Sequence, residues 1–92
     1  MKQDYIVRWS EMARFQLLDK AEYIYSQSQN MEIADQFINE IEQLAGKLSY
    51  VAAAYRDGQF HIFPLKNGHS VKFLVAEPYV LIYAFLPKGI NY

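Results

Sequence analysis

The chain has 92 residues, no cysteine, a net charge of −1, 52% hydrophobic residues and 16% aromatics. That length and composition describe one packed domain, residues 1–92, rather than a disordered chain. They exclude a disulfide framework and a thiolate metal site, and a near-neutral charge argues against general nucleic-acid binding, so no direct DNA binding is expected. No apolar run reaches the roughly 18 residues that span a bilayer. The opening MKQDYIVRWSEM lacks an apolar core segment, so no signal peptide is expected, no membrane is expected as a partner, and the expected compartment is the cytoplasm.

Asp4 to Trp9 alternates weakly and is rich in Tyr, Ile, Val and Trp, which predicts a strand. Ser10 follows as a helix N-cap, and Glu11 puts an acid in the first turn, where the helix dipole favours it. Ala13, Leu17, Ala21 and Ile24 then recur at helical spacing, with Phe15, Leu18 and Tyr25 widening the apolar stripe. This helix is predicted to fade over Ser26–Gln29. Asn30 is the expected cap of a second helix, whose stripe is Phe37, Ile41, Leu44 and Leu48. Ser49 to Gly58 has no clear period and reads as a connection.

Three strands are predicted to follow: Gln59–Leu65, His69–Ala76 and Tyr79–Leu86. The first two are joined at Asn67-Gly68, the strongest short hairpin signal, since both central residues of a type I′ turn need φ > 0. With a two-residue turn there, Lys66 pairs with His69, Pro64 with Val71, Ile62 with Phe73 and Phe60 with Val75. A tight turn at Glu77-Pro78 then puts Val80, Ile82 and Ala84 on the face of Phe60, Ile62, Pro64, Val71, Phe73 and Val75, which is expected to be core. His61, Phe63, Leu65, Ser70, Lys72, Leu74, Leu81, Tyr83 and Phe85 are expected on the outward face. Pro87 cannot donate to a ladder and ends the last strand, leaving Lys88–Tyr92 as a short tail.

The expected fold is α+β, in the order strand, helix, helix, strand, strand, strand. The helices form an antiparallel hairpin, the last three strands a meander, and the helices cover one face of a single sheet. The first strand is expected centrally or beside the last strand. The charge is uneven: residues 1–57 hold six Lys/Arg and nine Asp/Glu, whereas residues 58–92 hold Lys66, Lys72 and Lys88 against Glu77.

This order and these residues resemble the RelE/ParE superfamily of toxins from type II toxin–antitoxin systems. The residues that carry the resemblance are Tyr5-Ile6-Val7, Ser10, Ala13, Gln16-Leu17 and Tyr23-Ile24; then Ile41, Leu44 and Leu48; then Gly68 to Phe73 and Val80 to Phe85. The chain departs from the family where an arginine is common at the start of the second hairpin strand, since Ser70 stands there. It also carries no arginine after Arg56. These departures place the resemblance closer to the ParE branch.

The resemblance implies a cytoplasmic, growth-arresting toxin of the plasmid-stabilisation type that inhibits DNA gyrase and is neutralised by a cognate antitoxin. It implies a binding protein more than an enzyme, with no cofactor. Two alternatives stay open. One is a RelE-like ribosome-dependent mRNA endoribonuclease, metal-free, whose candidate catalytic residues would be His61, Lys72, Lys88 and Tyr92, with ribosome and mRNA as partners. The other is a binding member of the superfamily without toxicity. For the gyrase reading the expected target contacts are Lys66, His69, Lys72, Lys88 and Tyr92. The outward apolar patch of Phe63, Leu65, Leu74, Leu81, Tyr83 and Phe85 is too large to leave in water, and an antitoxin segment is its expected cover. No metal site is expected.

Overall fold

A computed structural model describes residues 4–88. Strand β1 (Ile6–Trp9) leads into helices α1 (Glu11–Ser28), α2 (Met31–Gly46) and the one-turn α3 (Leu48–Val51). Strands β2 (His61–Pro64), β3 (Ser70–Ala76) and β4 (Tyr79–Leu86) follow. They form one four-stranded sheet in the order β1-β4-β3-β2, with β1 parallel to β4 and the others antiparallel. The α+β fold is as expected, and β1 takes the place beside the last strand. The expected connection at Ser49–Gly58 is partly helical: α3 continues into a 3₁₀ turn at Ala52–Tyr55, where Leu48 and Ala52 are buried.

The starts of α1 and α2 are set by the predicted caps. The Ser10 hydroxyl accepts from the Ala13 N–H at 3.0 Å and donates to the Tyr83 carbonyl at 2.8 Å, so one side chain both starts α1 and ties it to β4. Asn30 Oδ1 accepts from the Glu32 N–H at 2.9 Å. Between the helices Gln29 turns the chain at φ 57°, and its N–H reaches the Tyr25 carbonyl. Ser10→Ala is expected to cost about 1–2 kcal/mol, the loss of a cap together with a tertiary hydrogen bond. Chemical denaturation with an unchanged m-value would register it.

The core lies between the helical hairpin and one face of the sheet. Ala13, Leu17 and Ala21 of α1 and Ala34, Ile41 and Ala45 of α2 are buried. The small alanines let the helices sit close to each other and to the strands, and the larger side chains fill the space between. Phe73, Phe85, Leu17, Ile41, Leu48, Ile82, Val71 and Val80 are fully buried. The expected widening of the α1 stripe fails. At 100° per residue Phe15 falls opposite Ala13, Leu17 and Ala21, and it is 69% exposed, with Leu18 and Tyr25 exposed as well.

Two irregularities decide which strand residues face the core. At the hairpin tip Asn67 (φ 60°) and Gly68 (φ 84°) adopt the expected left-handed conformations, and the His69 N–H donates to the Lys66 carbonyl at 3.2 Å. The closing bond on the other side, however, comes from the Leu65 N–H to the His69 carbonyl at 2.8 Å. Leu65 and Lys66 thus oppose one residue, and the pairs are Pro64–Ser70, Phe63–Val71, Ile62–Lys72 and His61–Phe73. A one-residue slip turns every side chain of a strand to the other face. Phe63 and Leu65 therefore pack against the core, and Phe60 and Ile62 face outward, the reverse of the expected assignment.

The second irregularity is a shift between Lys72 and Phe73. Phe73 pairs with Ile82, but Lys72 pairs with Ala84. Tyr83 is the extra residue of this bulge, and its carbonyl is the one the Ser10 hydroxyl bonds. Before the bulge the alternation runs as expected: Val80 and Ile82 face in, Leu81 faces out. Beyond it the alternation is reversed. Phe85 pairs with Val71 and is fully buried, and Ala84 moves to the side of Lys72. The Phe85 N–H, at a stretch of β4 that β1 does not reach, is satisfied by Gln16 Oε1 at 2.9 Å.

Candidate partner-binding surface

The sheet face away from the helices is a broad, mostly apolar surface. It is built from Ile6 and Arg8 of β1, Phe60 and Ile62 at β2, Lys72 and Leu74 of β3, and Tyr79, Leu81 and Tyr83 of β4. The register lines these up: Ile6 beside Tyr79, Arg8 beside Leu81, Leu74 beside Leu81, and Ile62 beside Lys72. Ile6, Phe60, Ile62, Tyr79, Leu81 and Tyr83 are all exposed, from 37% for Leu81 to 47% for Ile6 and Phe60. Soluble monomers seldom leave so many large apolar side chains contiguous in water.

Its charges are cations held over rings. Lys72 Nζ lies 5.0 Å from the Phe60 ring centroid and 5.9 Å from that of Tyr83. The Phe60 and Tyr83 rings are themselves 5.2 Å apart. The Arg8 guanidinium lies 5.4 Å from the Tyr79 centroid. Each cation thus keeps favourable contact with an aromatic face while remaining open to an acidic partner.

The structure divides the expected site residues among three places. Lys72, Leu74, Leu81 and Tyr83 lie on the outward face as expected. Phe63, Leu65 and Phe85 do not, because the two bulges turn them into the core; Phe60 and Ile62 take their place. His61 was expected to share the outward face with Lys72 and lies on the opposite one. It pairs with Phe73 and packs on Tyr55 at 4.9 Å between centroids, and its Nε2 is 2.9 Å from Asp57 Oδ1. The bond to His61, more than the Gln59 N–H, holds the Asp57 carboxyl below its ordinary range. The sheet therefore stands between His61 and Lys72.

The third place is the hairpin tip. Lys66 reaches Glu40 of α2 at 3.0 Å. His69 lies between Phe37 and Phe85, and its Nδ1 accepts from the Lys88 backbone N–H at 2.9 Å. Tyr92 lies outside the described residues. Among the described residues no cluster of His, Asp and Glu has the geometry of a metal site.

One cluster escaped the sequence reading. At the β3–β4 turn Glu77 Oε2 accepts from the Tyr5 hydroxyl at 2.9 Å and from Arg56 at 3.1 Å. Tyr5 first and Arg56 second hold the Glu77 carboxyl below its ordinary range. Burial, then Glu77, pushes the Tyr5 phenol up. These residues line an open cleft of about 580 Å³ with Asp4, Tyr50, Ala53 and Pro78. Tyr5 and Glu77 are 72 positions apart and Arg56 and Glu77 are 21 apart, so no local pattern marks them. Arg56 reads from sequence as an isolated loop charge.

No family model matches the sequence, and no curated protein does. The fold does have solved counterparts. The chain is similar to a chain described as "Chromosomal ParDE TA system from P. aeruginosa", with a TM-score of 0.77 and 18% identity over 91% of this chain and 96% of that one.

Proposed function

We propose that this chain is the toxin of a type II toxin–antitoxin pair, of the ParE kind, acting by binding DNA gyrase and held inactive by an antitoxin segment laid over the outward sheet face. The observation that carries the reading is that face: a patch from Ile6 to Tyr83, apolar except for Arg8 and Lys72, on a fold shared with a ParDE chain. A segment that folds on binding suits such a surface, with apolar anchors for the patch and acids for the two cations.

The arrangement favours binding over RNA cleavage. A metal-free ribonuclease has to take a proton from a 2′-hydroxyl, stabilise charge on the phosphate and protonate the leaving oxygen. Here His61 and Lys72 are separated by the sheet, and His69 Nδ1 is engaged by the tail. Lys66, Lys72 and Lys88 remain as candidate contacts with the target.

The test compares two assays on the purified full chain. Gyrase supercoiling of relaxed plasmid should be inhibited, and addition of the antitoxin should restore it. Ribosome-bound transcripts should stay intact. Cleavage at codons with gyrase unaffected would replace this reading with the ribonuclease one. Inactivity in both assays, with tight antitoxin binding, would leave the non-toxic member.

A further inference from the structure

We propose that His69 is a proton-controlled latch for the tail formed by the two residues that follow β4, Pro87 and Lys88, holding Lys88 on the tip of the β2–β3 hairpin while the ring is neutral and releasing it on protonation. The geometry is specific about the proton. His69 Nδ1 accepts from the Lys88 backbone N–H at 2.9 Å, so in the docked state the ring carries its single proton on Nε2. A second proton on Nδ1 would set one donor against another, and the bond would be lost.

The surroundings hold the ring in place and hold it neutral. It packs against Phe37 of α2 at 5.5 Å and Phe85 of β4 at 5.7 Å between centroids. Part-burial, then Lys20 of α1, then Lys88 of the tail all press the ring toward its neutral form, below the ordinary histidine range. The nearby acid on α2, Glu40, is paired with Lys66 of the same hairpin tip at 3.0 Å, and Asp19 precedes Lys20 on α1. A second contact supports the docking. The stem of Lys88 crosses Gly68 so closely that a Cβ there would come within 3.1 Å of Lys88 Cγ and Cδ. Gly68 thus serves both the left-handed turn and the seat of the tail.

The sign follows from linkage. Only the neutral ring can accept the Lys88 N–H, so docking is strongest while His69 is unprotonated. It weakens as pH falls through the titration of the undocked ring, by up to about tenfold in the docked-to-free ratio per pH unit. On the function proposed above, Lys88 is a target contact, and the latch would set where it meets the target. The test does not depend on that reading, because it is made on the toxin alone.

Backbone amide NMR of the ¹⁵N-labelled full chain, followed from about pH 8 to about pH 5, reads the Lys88 amide shift and its heteronuclear NOE. The wild-type tail should be ordered at the upper end and become mobile at the lower. His69→Asn keeps an acceptor near the Nδ1 position without a titrating proton, so its tail should stay docked throughout. His69→Ala should leave the tail mobile at every pH, and His61→Asn should follow the wild type. The proposal is overturned if the wild-type Lys88 amide does not change with pH. It is equally overturned if His69→Asn titrates as the wild type does, or if His61→Asn alone removes the transition.

Discussion

Phe85→Ala is expected to lower stability by about 3–5 kcal/mol, the usual cost of emptying a large buried site. For a domain of this size each kcal/mol is worth roughly 4–8 °C in Tm, so the midpoint should fall by more than about 12 °C. The reason is the bulge at Tyr83. Plain alternation from the Glu77-Pro78 turn would leave Phe85 on the wet face, where truncation costs little. In the structure Phe85 is fully buried between Val71, Phe37 and His69, and its N–H bonds Gln16. Tyr83→Ala is the comparison: its ring is 43% exposed on the outward face, and it should cost under about 1 kcal/mol, as surface changes usually do. Thermal unfolding of the two variants separates the registers, and a mild Phe85→Ala with a severe Tyr83→Ala would show that the bulge is misplaced.

If the proposed function holds, Ile62→Asp is expected to weaken antitoxin binding by at least about 30-fold, the ~2 kcal/mol of an interface hot spot, and to leave the free chain folded. Ile62 sits on the edge strand β2 beside Lys72 of the outward face and is 46% exposed. A carboxylate there would be desolvated under an apolar anchor, and it would neutralise the cation offered to the partner's acids. Leu74→Asp, beside Leu81, should act in the same direction. Phe63→Asp should behave differently, unfolding the chain, because Phe63 packs on the core against Phe73. Calorimetric titration against the antitoxin, with circular dichroism as the control for folding, reads all three. Normal binding by Ile62→Asp would move the antitoxin elsewhere, and the exposed α1 face around Phe15 would then be the next surface to test.

The surface that carries the functional reading could be foreseen only in kind. The segment Gln59–Leu65 is apolar at both parities: Phe60, Ile62 and Pro64 on one, His61, Phe63 and Leu65 on the other. Nothing in such a pattern marks the inward face, so either register buries a comparable set. The same holds for Leu81, Tyr83 and Phe85 against Ile82, Ala84 and Leu86. This is why the sequence correctly predicts an apolar outward face while misassigning Phe63, Leu65 and Phe85 to it. The separation of His61 from Lys72 follows from the same slip.

By itself the sequence determined the order of elements, the Ser10 and Asn30 caps, the left-handed turn at Asn67-Gly68 and the end of the sheet at Pro87. Each of these rests on a residue's own backbone preference or on a hydrogen bond to a near neighbour, so it is written locally. Only the tertiary structure decided the two bulges, the pairing of Tyr5 and Arg56 with Glu77, and the docking of Lys88 on His69. A bulge is a choice between registers of similar local energy. Here the choice is made by contacts 69 to 73 positions away in the chain, the Ser10 hydroxyl on the Tyr83 carbonyl and Gln16 on the Phe85 N–H, and by the core space that Phe85 and Phe63 fill.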